Sequence, residues 1–223
     1  MNPADLLTQA RVLLLDFDGP VCSVFASIPA STVADQLREI LAEGGHAELP
    51  EAVAASADPF DVLRYAATLG ADEARYVEAA FTAHEVEAIP GATPANGAHD
   101  LIEAWQVSGR PLAIVSNNSA AAISVYLDLY NLRPAVDTVQ ARTSSDAGLL
   151  KPSPHLLRQA IATLDVSPGD CVFVGDSVTD IQAAHAAGVR VIGYANKPGK
   201  RAKFTTAEAD AITETLASLV PVS

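Results

Sequence analysis

The 223-residue chain carries a net charge of −13, and 49% of its residues are hydrophobic while 18% are charged. This composition is typical of a globular protein, and the excess negative charge argues against a basic surface for nucleic acid. No apolar run approaches the roughly 20 residues that cross a bilayer, and the first ten residues show no basic segment followed by an apolar one. We therefore expect a cytoplasmic protein with neither nucleic-acid nor membrane partners. Cys22 and Cys171 have no CxxC spacing and are expected to be reduced thiols.

The first element that the sequence predicts is a strand at residues 12–15, in the stretch RVLLLDFDGPV. Its four apolar residues are typical of a strand that is buried on both faces, as in a parallel sheet. Asp16 and Asp18 follow directly. In open α/β sheets ligands bind at the carboxyl ends of the strands, so both aspartates are candidate site residues.

After this strand the pattern becomes helical as far as residue 89. The stretch STVADQLREILAEGG predicts a helix with Ser31 or Thr32 as its N-cap and a glycine stop, and further helices are expected over residues 60–70 and 71–89. With no strand candidate among them, residues 20–89 are predicted to form an all-helical insertion. The turn-rich segment IPGATPANG then returns the chain to the main fold.

From residue 96 onward helical and strand patterns alternate, which predicts βαβ units and a parallel sheet. Expected strands cover residues 111–118, 136–141, 171–177 and 189–196. Trp105 falls at helical spacing from Leu101 and Ile102, so we expect it in the core. The five histidines share no metal-ligand spacing, and a zinc site is not expected.

Three of the later segments also end in polar or charged residues. The stretch IVSNN ends in a serine and an asparagine, GLLKPSP places a lysine before a proline, and VFVGDSVTD ends in two aspartates. Strand ends of a parallel sheet converge on one edge, so these groups are predicted to meet the first two aspartates there. The candidate residues are Ser116, Asn117, Lys151, Asp176 and Asp180.

The set and its order resemble the haloacid dehalogenase-like hydrolase superfamily. The DxDG motif is matched by Asp16, Asp18 and Gly19, and the three later motifs are matched by Ser116, by Lys151 with Pro152, and by Asp176 with Asp180. The position of the helical insertion resembles the helical-cap subclass that includes phosphoglycolate phosphatase-like enzymes. The resemblance implies an α/β protein with a Rossmann-like parallel-sheet core, residues 1–19 and 90–223, and a helical cap, residues 20–89.

The resemblance also implies a Mg²⁺-dependent phosphatase that hydrolyses a small-molecule phosphomonoester through an aspartyl-phosphate. Asp16 would be the nucleophile, and Mg²⁺ would be held by Asp16, the backbone carbonyl of Asp18 and Asp176. Asp180 would hold a metal-bound water without touching the metal. Asp18 would serve as general acid and then as general base.

The remaining site residues would hold the phosphoryl group. Lys151 would neutralise charge, while Ser116, the backbone N–H of Asn117 and amides beside Gly19 would bind the phosphoryl oxygens. One departure from the family pattern is Pro20, where threonine is usual. Because proline offers neither a hydroxyl nor an N–H, the hydrogen bonding at the entrance to the insertion must differ.

Two other functions stay open on the same residues. A phosphomutase would use the same site but pass the phosphoryl group to a sugar hydroxyl, and a protein of this fold could also bind ligands without catalysis. A 2-haloacid dehalogenase is disfavoured, since that reaction needs neither a metal nor a proton on the leaving group. The substrate, a small phosphorylated metabolite, would be selected by the cap. Candidate specificity residues are Arg64, Tyr65, Arg75 and Tyr76.

Overall fold

The computed structural model describes residues 2–220, which contain ten α-helices and eight strands. The strands are β1 Val12–Leu15, β2 Cys22–Ser23, β3 Thr93–Pro94, β4 Leu112–Ser119, β5 Thr138–Arg142, β6 Cys171–Gly175, β7 Arg190–Tyr194 and β8 Ala211–Thr213. The helices are α1 Pro3–Thr8, α2 Ala30–Glu43, α3 Glu51–Ala54, α4 Pro59–Leu69, α5 Ala71–Ala88, α6 Ala98–Val107, α7 Ala120–Leu129, α8 His155–Thr163, α9 Val178–Ala187 and α10 Lys200–Thr206. Within this range no helix is long and apolar enough to cross a membrane.

Six strands form one parallel sheet in the order β5-β4-β1-β6-β7-β8. The strand β1 lies inside the sheet between β4 and β6, and all four of its residues are buried. Leu13 and Leu15 pack into the core on one face, whereas Val12 and Leu14 pack into the core on the other. A strand covered by helices on both faces has no solvent side, which explains its uniform apolar sequence. The predicted α/β fold with a parallel sheet is confirmed.

The two faces of the sheet carry separate hydrophobic cores. On one face α6 and α7 pack with Trp105, which is fully buried and donates from its indole nitrogen to the carbonyl of Pro111 at 2.8 Å. On the other face α8 and α9 pack against Cys171 and Phe173. Both cysteines are buried and unpaired, Cys22 in the first core and Cys171 in the second. The prediction of a core Trp105 is therefore confirmed.

Helices α2, α4 and α5 form a third hydrophobic cluster that is separate from the sheet, and we call α2–α5 the helical module. The prediction of Ser31 or Thr32 as N-cap of α2 is wrong. The helix begins at Ala30, before both of these residues, and the side chain of its N-cap residue Pro29 makes no capping hydrogen bond. Gly44 ends the helix as predicted.

The expectation that the insertion holds no strand is also wrong. The two-residue strands β2 and β3 pair antiparallel at the points where the chain leaves and rejoins the sheet. Strands this short have no alternating pattern that the sequence could show. Four further elements, α1, α3, α10 and β8, were not predicted. They carry few buried residues, such as the single Phe204 of α10.

Candidate active site

The carboxyl ends of β1, β4 and β6 open into a cleft of about 360 Å³ whose other wall is the start of α4. The structure brings the predicted polar residues together at this edge, and the helical module contributes three more. The cleft is lined by Asp16, Asp18, Asp58, Phe60, Arg64, Ser116, Asn117, Asn118, Lys151 and the segment 176–180.

Lys151 lines the cleft and is 2% exposed. Its Nζ contacts Asp16 Oδ1 at 2.8 Å and Asp180 Oδ1 at 2.6 Å, and it donates to the carbonyl of Val115 at 3.2 Å. Burial alone would lower the pKa of Lys151, but the two carboxylates outweigh burial and raise it. Lys151 is therefore a fixed positive charge beside Asp16.

Asp16 lies directly after β1 and is 7% exposed. Burial raises the pKa of its carboxyl, with a further contribution from Asp180, while Lys151 opposes the change. The backbone N–H of Phe17 donates to Oδ1 at 2.7 Å, which fixes the orientation of the side chain. The Asp16 carboxyl group is thus held rigidly at the carboxyl edge of the sheet, in contact with the Lys151 ammonium group.

Asp180 organises the loop between β6 and α9. Its Oδ2 accepts hydrogen bonds from the backbone N–H groups of Asp176 at 3.0 Å and Ser177 at 2.9 Å, and from the Ser177 hydroxyl at 2.7 Å. Ser177 and Asp180 form a capping box at the start of α9. Gly175 allows this approach, because a Cβ there would lie 2.4 Å from the Cβ of Asp180. Asp180 therefore holds the Asp176 backbone and Lys151 at the same time.

Asp18 lies two residues after Asp16 and is partly exposed to the cleft. Its Oδ1 accepts a hydrogen bond from the Val24 N–H at 2.9 Å. Burial is the main cause that raises its pKa to about 6, and the Val24 hydrogen bond partly opposes the shift. A carboxyl with this pKa can both donate and accept a proton near neutral pH.

Gly19 follows Asp18 with a φ of 106°, and a Cβ there would lie 2.3 Å from the Asp176 carboxyl carbon. The DxDG glycine is therefore required both by its backbone conformation and by the close approach of Asp176. The Gly19 N–H donates to the Cys22 carbonyl at 2.6 Å. Pro20 has no N–H to donate, and the turn is closed instead by the N–H groups of Val21 and Cys22, which donate to the Phe17 carbonyl.

Ser116, Asn117 and Asn118 form an irregular end of β4, where the register with β5 shifts between Val115 and Ser119. The Asn117 side chain forms two hydrogen bonds with the Lys151 backbone. Its Oδ1 accepts from the Lys151 N–H at 2.8 Å, and its Nδ2 donates to the Lys151 carbonyl at 3.2 Å. The sequence predicted a part for the Asn117 backbone N–H alone, and this brace by the side chain was missed.

The residues of the cleft fit a divalent cation. Oxygen atoms of Asp16, Asp176 and Asp180 all lie within 4.8 Å of one another. With Asp18 they make four carboxylates, against the two ammonium groups of Lys151 and Lys200 that contact this cluster. Hard oxygen donors with excess negative charge are the ligands that Mg²⁺ prefers.

Lys200 is a site residue that sequence reasoning missed. It begins α10, and its Nζ contacts Asp176 Oδ2 at 2.5 Å and the Asp176 carbonyl at 2.6 Å. Asn196 Nδ2 donates to the same Oδ2 at 3.2 Å. Burial raises the pKa of Asp176, and Lys200 opposes this effect. No motif spacing relates Lys200 to Asp176, because the chain passes through α9 and β7 between them.

The helical module faces the cleft with Asp58, Phe60 and Arg64. Of the four candidate specificity residues, Arg64 lies on the cleft, where it pairs with Asp61 at 3.0 Å. The other three are not among its lining residues. Tyr65 packs against the hydrophobic cluster of the module, Arg75 pairs with Asp72, and Tyr76 is largely exposed beside α2. Asp58 and Phe60 were not predicted.

Sequence comparison matches residues 10–188 to the family model of the haloacid dehalogenase-like hydrolases. A phosphoglycolate phosphatase from Rhodospirillum rubrum is 31% identical over 206 residues, covering 84% of this chain and 82% of that protein. A plasmid-borne phosphoglycolate phosphatase from Cupriavidus necator is 35% identical over 124 residues, 54% of this chain and 53% of that one. A bifunctional riboflavin kinase/FMN phosphatase from Arabidopsis thaliana is 30% identical over 113 residues, 50% of this chain and 29% of that one. The chain thus spans about half or less of the length of the last two relatives.

Solved structures share the fold. A predicted phosphatase from Clostridium acetobutylicum superposes with a TM-score of 0.70 at 16% identity, covering 93% of this chain and 95% of that one. CbbY from Rhodobacter sphaeroides, in complex with phosphate, superposes with a TM-score of 0.63 at 21% identity, covering 94% and 96%. These likenesses support the fold, and the family match covers most of the chain. The chain belongs to the haloacid dehalogenase-like hydrolase family.

Proposed function

We propose that this chain is a Mg²⁺-dependent phosphatase that hydrolyses a small phosphomonoester through a phosphoryl group carried on Asp16. The observation that best supports this function is that Lys151 contacts both Asp16 and Asp180 at the carboxyl edge of the sheet. A carboxylate can attack phosphorus, and splitting the displacement into two steps lowers the barrier of each. The relatives named phosphoglycolate phosphatase support phosphoglycolate as the first substrate to test.

In the first step an Asp16 carboxylate oxygen would form a bond to phosphorus while the bond to the ester oxygen breaks. Asp18, whose pKa is about 6, would give its proton to the departing alkoxide so that a neutral alcohol leaves. Lys151, the Ser116 hydroxyl and the Asn117 N–H would bind the phosphoryl oxygens as their charge grows. Because hydrogen bonds already fix the Lys151 and Asp16 side chains, these groups would need to move little during the reaction.

A bound Mg²⁺, held by Asp16, Asp176 and the Asp18 carbonyl, would supply positive charge that relieves the repulsion between the carboxylates and the phosphoryl group. Asp180 would then act through Asp176 and Lys151, both of which it contacts. In the second step Asp18, now ionised, would take a proton from water as the water oxygen attacks phosphorus. Inorganic phosphate would leave and the Asp16 carboxylate would be restored.

We further propose that residues 20–89 act as a cap over residues 1–19 and 90–223. The helical module forms one wall of the cleft, and its hydrophobic cluster is separate from the sheet. Of the two proposed hinges, the one near residues 19–23 would include β2, and the one near residues 89–91 would directly precede its partner β3. Closure would exclude water from the cleft and bring Arg64 toward the part of the substrate beyond its phosphate.

Phosphate release from a panel of sugar, glycolate, nucleotide and amino-acid phosphates tests this function. We expect turnover of at least one small ester with Mg²⁺, loss of turnover after chelation, and restoration when Mg²⁺ is added. The variant Asp16→Asn controls for contaminating phosphatases and should stay at background. Full activity after exhaustive chelation, or no release from any ester of the panel, would contradict the proposal. Product analysis with sugar phosphates separates hydrolysis from transfer to a second hydroxyl.

A further inference from the structure

A buried charged network joins the helical module to the loop at the end of β4. Glu85 on α5 and Arg142 at the end of β5 have fully buried side chains. Arg142 Nη2 donates to Glu85 Oε2 at 2.5 Å, and Nη1 donates to Glu78 Oε1, also at 2.5 Å. The guanidinium lies 4.6 Å from the centre of the Phe81 ring. Two charged groups buried in this way are costly to desolvate, so packing alone does not account for them.

Glu85 also binds the loop directly. Its Oε1 accepts from Asn118 Nδ2 at 2.9 Å, and its Oε2 accepts from the Ser119 N–H at 2.9 Å, at the start of α7. The Asn118 side chain in turn accepts from the Ser116 hydroxyl at 3.1 Å. The Glu85 carboxylate therefore fixes the two residues Asn118 and Ser119, which follow Ser116 and Asn117 in the loop.

Arg142 binds the same loop at Asn117. Its Nε donates to the carbonyl of Asn117 at 3.2 Å, and the Asn117 side chain braces the Lys151 backbone. Ser116, Asn117 and Lys151 are thus all linked to the Glu85–Arg142 pair within one or two hydrogen bonds. None of these links touches the cleft carboxylates.

We propose that Glu85 and Arg142 are positioning residues, which hold the loop 116–119 and the Lys151 backbone in the geometry that binds phosphate. This inference rests on the proposed function for the identity of the bound group. The phosphate pocket is therefore complete only while α5 is docked on the sheet.

Glu78 and Glu85, which both pair with the Arg142 guanidinium, allow a matched pair of variants. Glu85→Gln and Glu78→Gln each leave Arg142 paired with one carboxylate, so neither variant buries an unpaired charge. Glutamine has one acceptor oxygen and one donor group. At position 85 it must lose an interaction with Asn118 or Ser119, whereas at position 78 its oxygen keeps both of its contacts, with Arg142 and Thr82.

The measurement is the inhibition constant of inorganic phosphate, with the amide resonances of residues 116–119 recorded on the free protein. We expect Glu85→Gln to raise the inhibition constant by about tenfold, the effect of losing one hydrogen bond to a charged group, and Glu78→Gln to leave it within about twofold. The loop resonances should move in Glu85→Gln only. A folded Glu85→Gln protein with the inhibition constant and loop resonances of Glu78→Gln would overturn the proposal.

Asn118→Ala keeps the ion pair and removes the link to Ser116, so it decides the question if Glu85→Gln does not fold. It should raise the inhibition constant to a similar extent, and an unchanged constant would overturn the proposal. Failure of the proposed function looks different. In that case the wild-type protein binds no phosphate, while the loop resonances still show whether Glu85 positions the loop.

Discussion

The substitution Asp18→Asn separates proton transfer from the other tasks of the site. Asparagine keeps an oxygen that can accept the Val24 N–H, and it keeps the backbone carbonyl proposed for the metal. Substrate and metal binding should therefore change little. With a pKa of about 6, about one Asp18 in ten is protonated at pH 7 and can act as the acid, while the remainder can act as the base. Asparagine does neither, so hydrolysis of alkyl phosphates should fall by about 10²- to 10⁴-fold.

The two steps of the reaction can be resolved with 4-nitrophenyl phosphate, whose leaving group needs little protonation. Its first step should survive in Asp18→Asn, while the second, which requires a base, slows. Stopped-flow absorbance should then show a burst of about one equivalent of nitrophenol per site, followed by slow turnover. Circular dichroism and the Mg²⁺ affinity of the variant serve as controls. Wild-type rates with both alkyl and aryl esters would refute the assignment, as would equal slowing of burst and turnover.

Three further predictions test the electrostatics and the backbone of the site. Because burial raises the folded-state pKa of Asp18 from 3.8 to about 6, the folded protein binds this proton more tightly and loses stability as the pH rises between those values, by up to about 3 kcal/mol. In calorimetry of metal-free protein, Asp18→Asn should therefore gain stability relative to wild type between pH 4 and pH 7, and a constant difference would contradict this. Lys200→Gln removes a positive charge from Asp176, so Mg²⁺ should bind severalfold more tightly in isothermal titration, and weaker binding would show that Lys200 supports the metal instead. Gly19→Ala should bring phosphate release to background, because its Cβ meets the Asp176 carboxylate, whereas Gly45→Ala, at a similar φ of 91° with nothing within 4 Å, should keep full activity.

The sequence predicted those parts of the fold in which local pattern and global position agree. The strand at Val12–Leu15 has apolar residues on both faces, and this pattern occurs where helices cover a parallel sheet on both sides. The convergence of Asp16, Ser116 and Asp176 followed from the rule that strand ends share one edge. Lys151 was expected at a strand end too, but it follows the short 3-10 turn Ala147–Leu149, well after β5 ends at Arg142, and reaches the site from that loop. The rule concerns the positions of strand ends and not side-chain contacts, so it predicted which residues are neighbours but not the distances and hydrogen bonds between them.

The contacts that sequence reasoning missed have no local signature. Lys200 reaches Asp176 from a helix that buries one residue, and Glu85 occupies what the sequence shows as an ordinary polar position on a long helix. Arg142 ends a short strand whose pattern gives no reason for a fully buried guanidinium. Each depends on the packing of elements distant in sequence. The N-cap of α2 was misplaced because the N-cap residue is Pro29, which supplies no side-chain hydrogen bond of the kind expected from Ser31 or Thr32.

The central claim, that Asp16 carries the phosphoryl group, is tested most directly by rapid quench of the wild-type protein in acid. The protein is mixed with Mg²⁺ and a phosphorus-labelled ester, quenched within milliseconds, digested and sequenced by mass spectrometry. We predict label on the peptide containing Asp16, sensitive to hydroxylamine as an acyl-phosphate should be, and absent without Mg²⁺ or in Asp16→Asn. Label on another residue, or rapid phosphate release with no labelled protein at any quench time, would contradict the account.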